Sequence, residues 1–265
     1  MSNQRFDLNA YFERIHYTGG RDISAETLKN LHIAHTLNVP FENLDVFFKK
    51  PISLELDDLF QKIVIEHRGG YCFEMNGLFS AVLKAMGFKV TNHLARVYNN
   101  GFENSGKTHM VVLVETDHQK WICDVGFGGN GLAAPLRFEE GVEQEHFYRT
   151  HRIMADSKYG YRLEFKTDGE FLPIYVFTLE ECCLADYLIA NHYTSTYPAS
   201  FFTQLMMCSL TTEVGRITYL DGLLKINDIV DKDSEIEKKI VNDDEIREVL
   251  NHYFGIQLQL EAQYE

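Results

Sequence analysis

The segment Arg68-Gly69-Gly70-Tyr71-Cys72-Phe73-Glu74-Met75-Asn76-Gly77 limits what this chain can fold into more than any other stretch. Beyond it, Met75, Leu78, Phe79, Val82, Leu83 and Met86 recur at three- and four-residue steps, and Gly87 follows as a stop signal. That spacing predicts a helix over 72–86, with two glycines releasing the backbone in front of it. Cys72 then falls on the first helical turn. Backbone N–H groups are unpaired there and the helix dipole is positive, which favours an anionic sulfur. A nucleophilic cysteine needs that setting. A cysteine that is only a small apolar core residue fits the same position, so the chemical reading depends on finding a base and an acid to orient it.

The base is sought among eleven histidines. His32 and His35 fall in a predicted helix and read as structural, His118 sits in a turn, and His146 and His151 flank a strand. His109 differs because of what lies across from it. Thr108–Glu115 runs through Thr116-Asp117-His118-Gln119 into Lys120–Val125, a short hairpin. Pairing opposite charges sets Glu115 against Lys120, Val111 against Asp124 and His109 against Gly126. Side chains alternate along a strand, so His109, Val111 and Asp124 share one face, and a slip of one residue would separate them. In this register a carboxylate can hold one imidazole nitrogen and leave the other to take a thiol proton. Cysteine, histidine and aspartate arranged so are a recurring device for acyl transfer. A plainer role for Asp124, satisfying a turn or an amide, fits as well.

Gly126-Phe127-Gly128-Gly129-Asn130-Gly131 spells G-x-G-x-x-G, but Leu132-Ala133-Ala134-Pro135 follows instead of a helix, which excludes a dinucleotide fold. The loop either presents N–H groups to phosphate or acyl oxygens or is a flexible turn.

Around these motifs, helices are expected at 8–15, 24–37 and 54–66, the second opened by Ser24 and closed by Asn38-Val39-Pro40. Period-two strands follow at 88–98, 109–115, 120–125, 147–155 and 161–166, which read as an antiparallel sheet or small barrel. A helix near 179–192, a hairpin around Asp221-Gly222, a solvated charged stretch at 231–239 and a helix at 243–254 complete the reading. The net charge of −14 argues against nucleic acid and anionic membranes as partners. Five cysteines form no disulfide framework, the first ten residues lack a signal-peptide pattern, and no apolar run reaches the ~18 residues of a membrane span, so a cytoplasmic location is expected. No closely spaced ligand pair of the C-x-x-C kind marks a metal site.

With these residues in view, the chain resembles the arylamine N-acetyltransferases. The likeness rests on Arg68–Asn76, Pro40-Phe41-Glu42-Asn43-Leu44, Thr108-His109, Asp124-Val125-Gly126-Phe127-Gly128 and Thr194–Phe201, and covers nearly the whole chain. It implies an α+β fold with a cysteine-protease-like core: a helical bundle over 1–87 carrying the nucleophile, a β-barrel with a helical connecting segment over 88–200, and an α/β lid over 201–265. It implies a catalytic triad of Cys72, His109 and Asp124, acetyl-coenzyme A as co-substrate, no metal, and aromatic amines or hydrazines as acceptors. It also implies an ionic cluster of Arg14, Glu42 and Arg68 under the site. Ser105, Gly106, Gly126 and Ser200 are the expected coenzyme contacts. Phe41 and Phe127 are expected to wall the acceptor, or else to be ordinary core residues. The chain ends at Glu265, without the longer tail of many vertebrate members, so no contact made by that tail carries over. A thiol hydrolase or transglutaminase-like enzyme, a macrolactam-forming amide synthase, and an inert coenzyme-binding module are the competing readings of the same residues.

Overall fold

Helix α5 lies at the middle of the molecule because both of its faces have apolar partners. In the computed structural model, which describes residues 6–228 and 235–258, the chain reaches α5 through α1 (Leu8–Arg14), α2 (Ala25–Asn38), the two-residue strand β1 (Phe41–Glu42), α3 (Leu44–Phe47) and α4 (Leu56–Phe60). A π-helical turn, Gln61–Ile65, continues α4, and α5 itself spans Cys72–Met86. Met75, Leu78, Phe79, Val82 and Leu83 pack against Tyr11, Phe12, Leu28 and Leu31 on the helical side and against Val112 and Val114 on the strand side.

The next region is a sheet of eight antiparallel strands curled into a barrel. It comprises β2 (Lys89–Val97), β3 (His109–Thr116), β4 (Gln119–Cys123), β5 (Leu136–Arg137), β6 (Gln144–His146), β7 (Arg149–Asp156), β8 (Gly160–Thr167) and β9 (Glu170–Phe177), in the order β5-β4-β3-β2-β9-β8-β7-β6. The Gln144 side-chain amide bridges the two edge strands, donating to the Arg137 carbonyl at 2.9 Å and accepting from its N–H at 2.8 Å. Both faces of β3 are buried, as its uninterrupted Val-Val-Leu-Val run requires. Val112 and Val114 meet α5, while Val111 and Leu113 join Ala95, Ile122, Ile153, Tyr175 and Phe177 inside the barrel. Glu115 does stand opposite Lys120. Asp117 and His118 both take positive φ, the geometry of a two-residue hairpin turn.

Helices α6 (Leu184–Thr196) and α7 (Phe201–Gln204) lead to a five-stranded sheet of β10 (Met207–Thr211), β11 (Gly215–Leu220), β12 (Leu223–Asp228) and β13 (Ile236–Lys239), edged by β1 from the helical region. Helix α8 (Asp243–Phe254) covers it through Val249, Leu250 and Phe254. Asn43 fastens the two regions, donating to the carbonyls of Phe202 and Leu205 and accepting from Met207 N–H.

Several expectations change. Helix α6 starts at Leu184 instead of near residue 179, because the Asp186 carboxylate takes the Cys183 N–H at 2.8 Å and sets the cap there. Strand β9 is not among the expected strands; its Pro173 sits opposite Glu164, where the register shifts at a bulge. Of the charged stretch, 231–234 lie outside the described residues, and Ile236–Lys239 forms the exposed strand β13.

Two buried histidines give the fold an acid limit. Burial, the largest influence on each, holds His32 and His151 down at about 4, so both are neutral in the folded protein. Their folded values lie below the ordinary ~6.5 of an unfolded chain. The stability they contribute is therefore fully present above that value and is lost as pH falls through about 4. The expected loss between pH 7 and pH 4 is on the order of 3 kcal/mol per histidine. Urea unfolding across that range checks it, and a flat midpoint would contradict it.

Candidate active site

The approach to Cys72 is set by close contacts. Neither Gly69 nor Gly70 takes a left-handed conformation, so the pair is not needed for a special turn. A Cβ on Gly69 would lie 1.8 Å from the Pro40 carbonyl oxygen, and the Gly70 carbonyl accepts from Glu42 N–H at 3.0 Å. The glycines let the segment before α5 lie flat on the residue 40–42 segment. Glu74 reaches back from the first turn to the Tyr71 N–H at 3.1 Å, fixing the helix start.

A buried ionic cluster supports this segment from beneath. Arg68 pairs with Glu42 at 2.7 Å and Asp45 at 3.3 Å, and Lys62 pairs with Asp45 and Glu74 at 2.7 Å each. The resemblance placed Arg14 in this cluster, and the structure corrects that. Arg14 donates instead to the backbone carbonyls of Ile63, Asn38 and Arg68 at 2.6–3.1 Å, and the cations of the cluster are Lys62 and Arg68. Arg14 thus shapes the chain that carries Arg68 without meeting a carboxylate.

The expected register brings His109 and Asp124 together. Nε2 of His109 lies 2.7 Å from Oδ2 of Asp124, with both groups buried. The other ring nitrogen, Nδ1, remains for the sulfur, and the Cys72 thiol lies against this ring and 3.7 Å from the Thr108 carbonyl. Burial works against charge on His109, but the Asp124 carboxylate, with Cys72 adding to it, pushes the ring up to about 10. Burial likewise opposes charge on Asp124, yet His109, Asn76 and the Gly126 N–H together hold its carboxyl below the usual range. The pair is therefore an imidazolium and a carboxylate at neutral pH.

Three residues that the sequence reading passed over complete the arrangement. Asn76, one turn along α5 from Cys72, donates to Asp124 Oδ1 and the Met110 carbonyl at 2.8 Å and accepts from Val125 N–H at 2.9 Å. A buried asparagine on an apolar helix face was the available signal. His32, read as structural, accepts the Asp124 N–H on its Nε2 at 3.1 Å. Phe202 packs its ring against Phe41 and Tyr71, at 6.1 and 5.9 Å between centroids. Nothing in its local sequence marked it.

Of the other expected residues, Phe127 stands edge-on to the His109 ring, 5.2 Å between centroids, and Phe41 lies against Gly128. Both line a cavity of about 20 Å³ that also touches Met75, Asp124 and Arg149. Gly126 packs on the Cys72 backbone, since a Cβ there would stand 2.9 Å from Cys72 Cα. Ser105 ends the 3₁₀ turn Phe102–Asn104, its carbonyl taken by Arg96, and Gly106 follows it in an exposed loop. Ser200 donates its hydroxyl to the Thr194 carbonyl at 2.7 Å, holding the α6–α7 turn. Among the described residues, no three His, Cys, Asp or Glu side chains group as a metal site.

This geometry agrees with what the chain is similar to. An N-acetyltransferase family model matches residues 24–263. The Arylamine N-acetyltransferase of Escherichia coli is 38% identical over 213 residues, 80% of this chain and 75% of the relative. The Arylamine N-acetyltransferase / N-hydroxyarylamine O-acetyltransferase of Salmonella typhimurium is 36% identical over the same shares. Among solved structures, arylamine N-acetyltransferase from Salmonella typhimurium superposes with a TM-score of 0.89 at 29% identity, covering 97% of this chain and 94% of that one. The Mycobacterium marinum arylamine N-acetyltransferase in complex with CoA gives 0.88 at 29% identity, covering 95% and 93%.

Asn76→Ala would leave Asp124 Oδ1, the Met110 carbonyl and the Val125 N–H each short of a partner. The expected cost is ~2–4 kcal/mol of stability, read by urea unfolding. Equal stability of variant and parent would show that Asn76 does not hold Asp124.

Proposed function

The chain belongs to the arylamine N-acetyltransferase family, and from that premise we propose how its own residues carry the reaction. It is an acyltransferase that moves an acetyl group from acetyl-coenzyme A to the nitrogen of an aromatic amine. The observation that supports the assignment of roles is the 2.7 Å His109–Asp124 contact, with Cys72 against the same ring at the start of α5.

In this reading Cys72 is the nucleophile, held as a thiolate beside the His109 imidazolium, and Asp124 keeps that imidazolium charged and oriented. The sulfur attacks the acetyl carbonyl carbon of the thioester, forming a new C–S bond. First-turn N–H groups of α5 face the developing oxyanion, an interaction often worth ~3–4 kcal/mol. The bond to coenzyme A breaks, and His109 gives its proton to the departing thiolate. An acetyl-cysteine and a neutral imidazole remain. A weakly basic aromatic amine keeps its lone pair free at neutral pH and attacks the acetyl carbon. The C–S bond to Cys72 breaks, and His109 takes the amine proton, restoring the ion pair. Phe41, Phe127 and Phe202 wall the acceptor side, and Ser105, Gly106, Gly126 and Ser200 are the residues we assign to the coenzyme. Hydrazines fit the acceptor role for the same chemical reason. The cytoplasm is the compartment we assign, with neither nucleic acid nor a membrane as partner. No helix among the described residues is long and apolar enough to cross a membrane.

Mixing the protein with acetyl-coenzyme A and no acceptor is expected to leave a stable acetyl group on Cys72 by intact-mass and peptide analysis, absent in Cys72→Ala. Rapid release of acetate with no adduct would favour a hydrolase, and turnover by Cys72→Ala would remove the nucleophile assignment. A second outcome follows from the charge balance. In Asp124→Asn, burial is opposed only by Cys72 and no longer by a carboxylate, so the His109 pKa should drop well below about 10. Histidine NMR titration reads this, and an unchanged titration would show that Asp124 does not hold the ring's charge.

A further inference from the structure

Two guanidinium groups meet at the far end of the glycine loop, and neither pairs with a carboxylate among the described residues. Arg149, on β7, is buried; its Nη1 donates to the Gly131 carbonyl at 2.7 Å and its Nη2 to the Tyr148 hydroxyl at 2.6 Å. Arg216, on β11, donates from Nη1 to Asn130 Oδ1 at 3.2 Å, and its Nε is buried with no hydrogen-bond partner among the described residues. Arg68, Arg152 and Arg162, by contrast, each meet a carboxylate. In a chain with 39 acidic and 25 basic residues, two adjacent cations without an acid go against the general pattern. A buried N–H left unpaired is costly, and a like charge beside it adds to the cost. An anion would relieve both.

The surroundings show where that anion would sit. Gly128 and Gly129 take φ of 67° and 37°, consecutive left-handed residues. If Gly129 carried a Cβ, it would stand 3.7 Å from Arg216 Nη1. The space over Gly129 therefore opens onto the guanidinium. Thr211, the cross-strand partner of Arg216, lines the small cavity beside Phe41, Phe127 and Arg149. Asp124 touches that cavity too, but its charge is already matched by the His109 ring. The loop runs unbroken from the Cys72 backbone to the arginine: Gly126 lies on Cys72, Phe127 on His109, Gly128 on Phe41 and Gly129 beneath Arg216. Gly126 to Gly129 is three residues of chain, which span at most ~10 Å. The Arg216 guanidinium and the Cys72 backbone therefore stand at the two ends of one short loop.

We propose that Arg216 and Arg149, with Asn130 and the Gly128–Gly129 backbone, form a subsite for a small oxyanion: a carboxylate carried by the aromatic amine, or a phosphate of the acyl donor. The inference rests on the transferase reading and adds the charge of the substrate to it. Carboxylate and phosphate present the same paired oxygens to a guanidinium fork.

The test compares kcat/KM for 4-aminobenzoate and for its neutral counterpart 4-methylaniline, together with the KM for acetyl-coenzyme A, in the parent protein and in Arg216→Gln. A fall of about tenfold or more in the preference for the carboxylated amine, ~1.4 kcal/mol, assigns the subsite to the acceptor. A comparable rise in the KM for acetyl-coenzyme A, with the preference unchanged, assigns it to the donor's phosphate. If neither moves, the proposal is wrong. Should Arg216→Gln fail to fold, Gly129→Asp places a carboxylate beside Arg216 Nη1 at a position where aspartate tolerates positive φ. It should raise Tm and lower the same preference or raise the same KM; a higher Tm with both kinetic readings unchanged would mean that the arginines only hold the loop. Calorimetric titration with benzoate and with inorganic phosphate reads the subsite without turnover. Binding that Arg216→Gln abolishes keeps the subsite even if neither amine is acetylated, an outcome that would count against the transferase reading alone.

Discussion

A charged imidazole and a charged carboxylate, both out of water and 2.7 Å apart, are the constraint on which the rest of this structure depends. Either charge alone in that place would be strongly disfavoured. Together they are stable only because every remaining polar position around Asp124 is filled. Asn76 and the Gly126 N–H meet one carboxylate oxygen, His109 meets the other, and His32 takes the backbone N–H of the same residue. Removing any of these partners exposes the cost of burying the pair.

Those partners come from different parts of the chain, which is how a local charge pair organises the architecture. Asn76 belongs to α5, His32 to α2, His109 to β3, and Asp124 and Gly126 to the loop that leaves β4. The helical region and the barrel are therefore joined around Asp124 by polar contacts, with the apolar packing of α5 on β3 beside them. The ionic cluster of Lys62, Arg68, Glu42, Asp45 and Glu74 plays a comparable part on the opposite side of the segment leading to Cys72. The Cys72 backbone is thus fixed from beneath by charges and from above by the Gly126 backbone, which leaves no room for a side chain.

Much of this was legible in the chain. The three-four spacing of Met75 to Met86 defined α5 from Cys72 to Met86, and the Glu115–Lys120 pairing fixed the hairpin register on which the His109–Asp124 contact depends. Both signals are local, carried by residues close in sequence. What was missed is of two kinds. Two-residue strands such as β1 and β5 have no period to detect, and β9 contains Pro173, which its ladder accommodates beside a register shift. His32 looked like one more helical histidine, because its partner lies 92 residues away.

The amino-acid sequence by itself determined the helix that begins at Cys72, the shared face of His109 and Asp124, the alternation that makes a barrel, and the likeness to a family of acetyl transferases. Each follows from side-chain periodicity or from a run of contiguous residues. Only the tertiary structure decided that Arg14 serves carbonyls instead of carboxylates, that Asn76 and His32 hold Asp124, that Phe202 joins Phe41, and that Arg149 and Arg216 meet over the glycine loop. These are contacts between residues far apart in the chain. Burial and charge act through space, and no spacing along a sequence records which distant groups will share one dry environment.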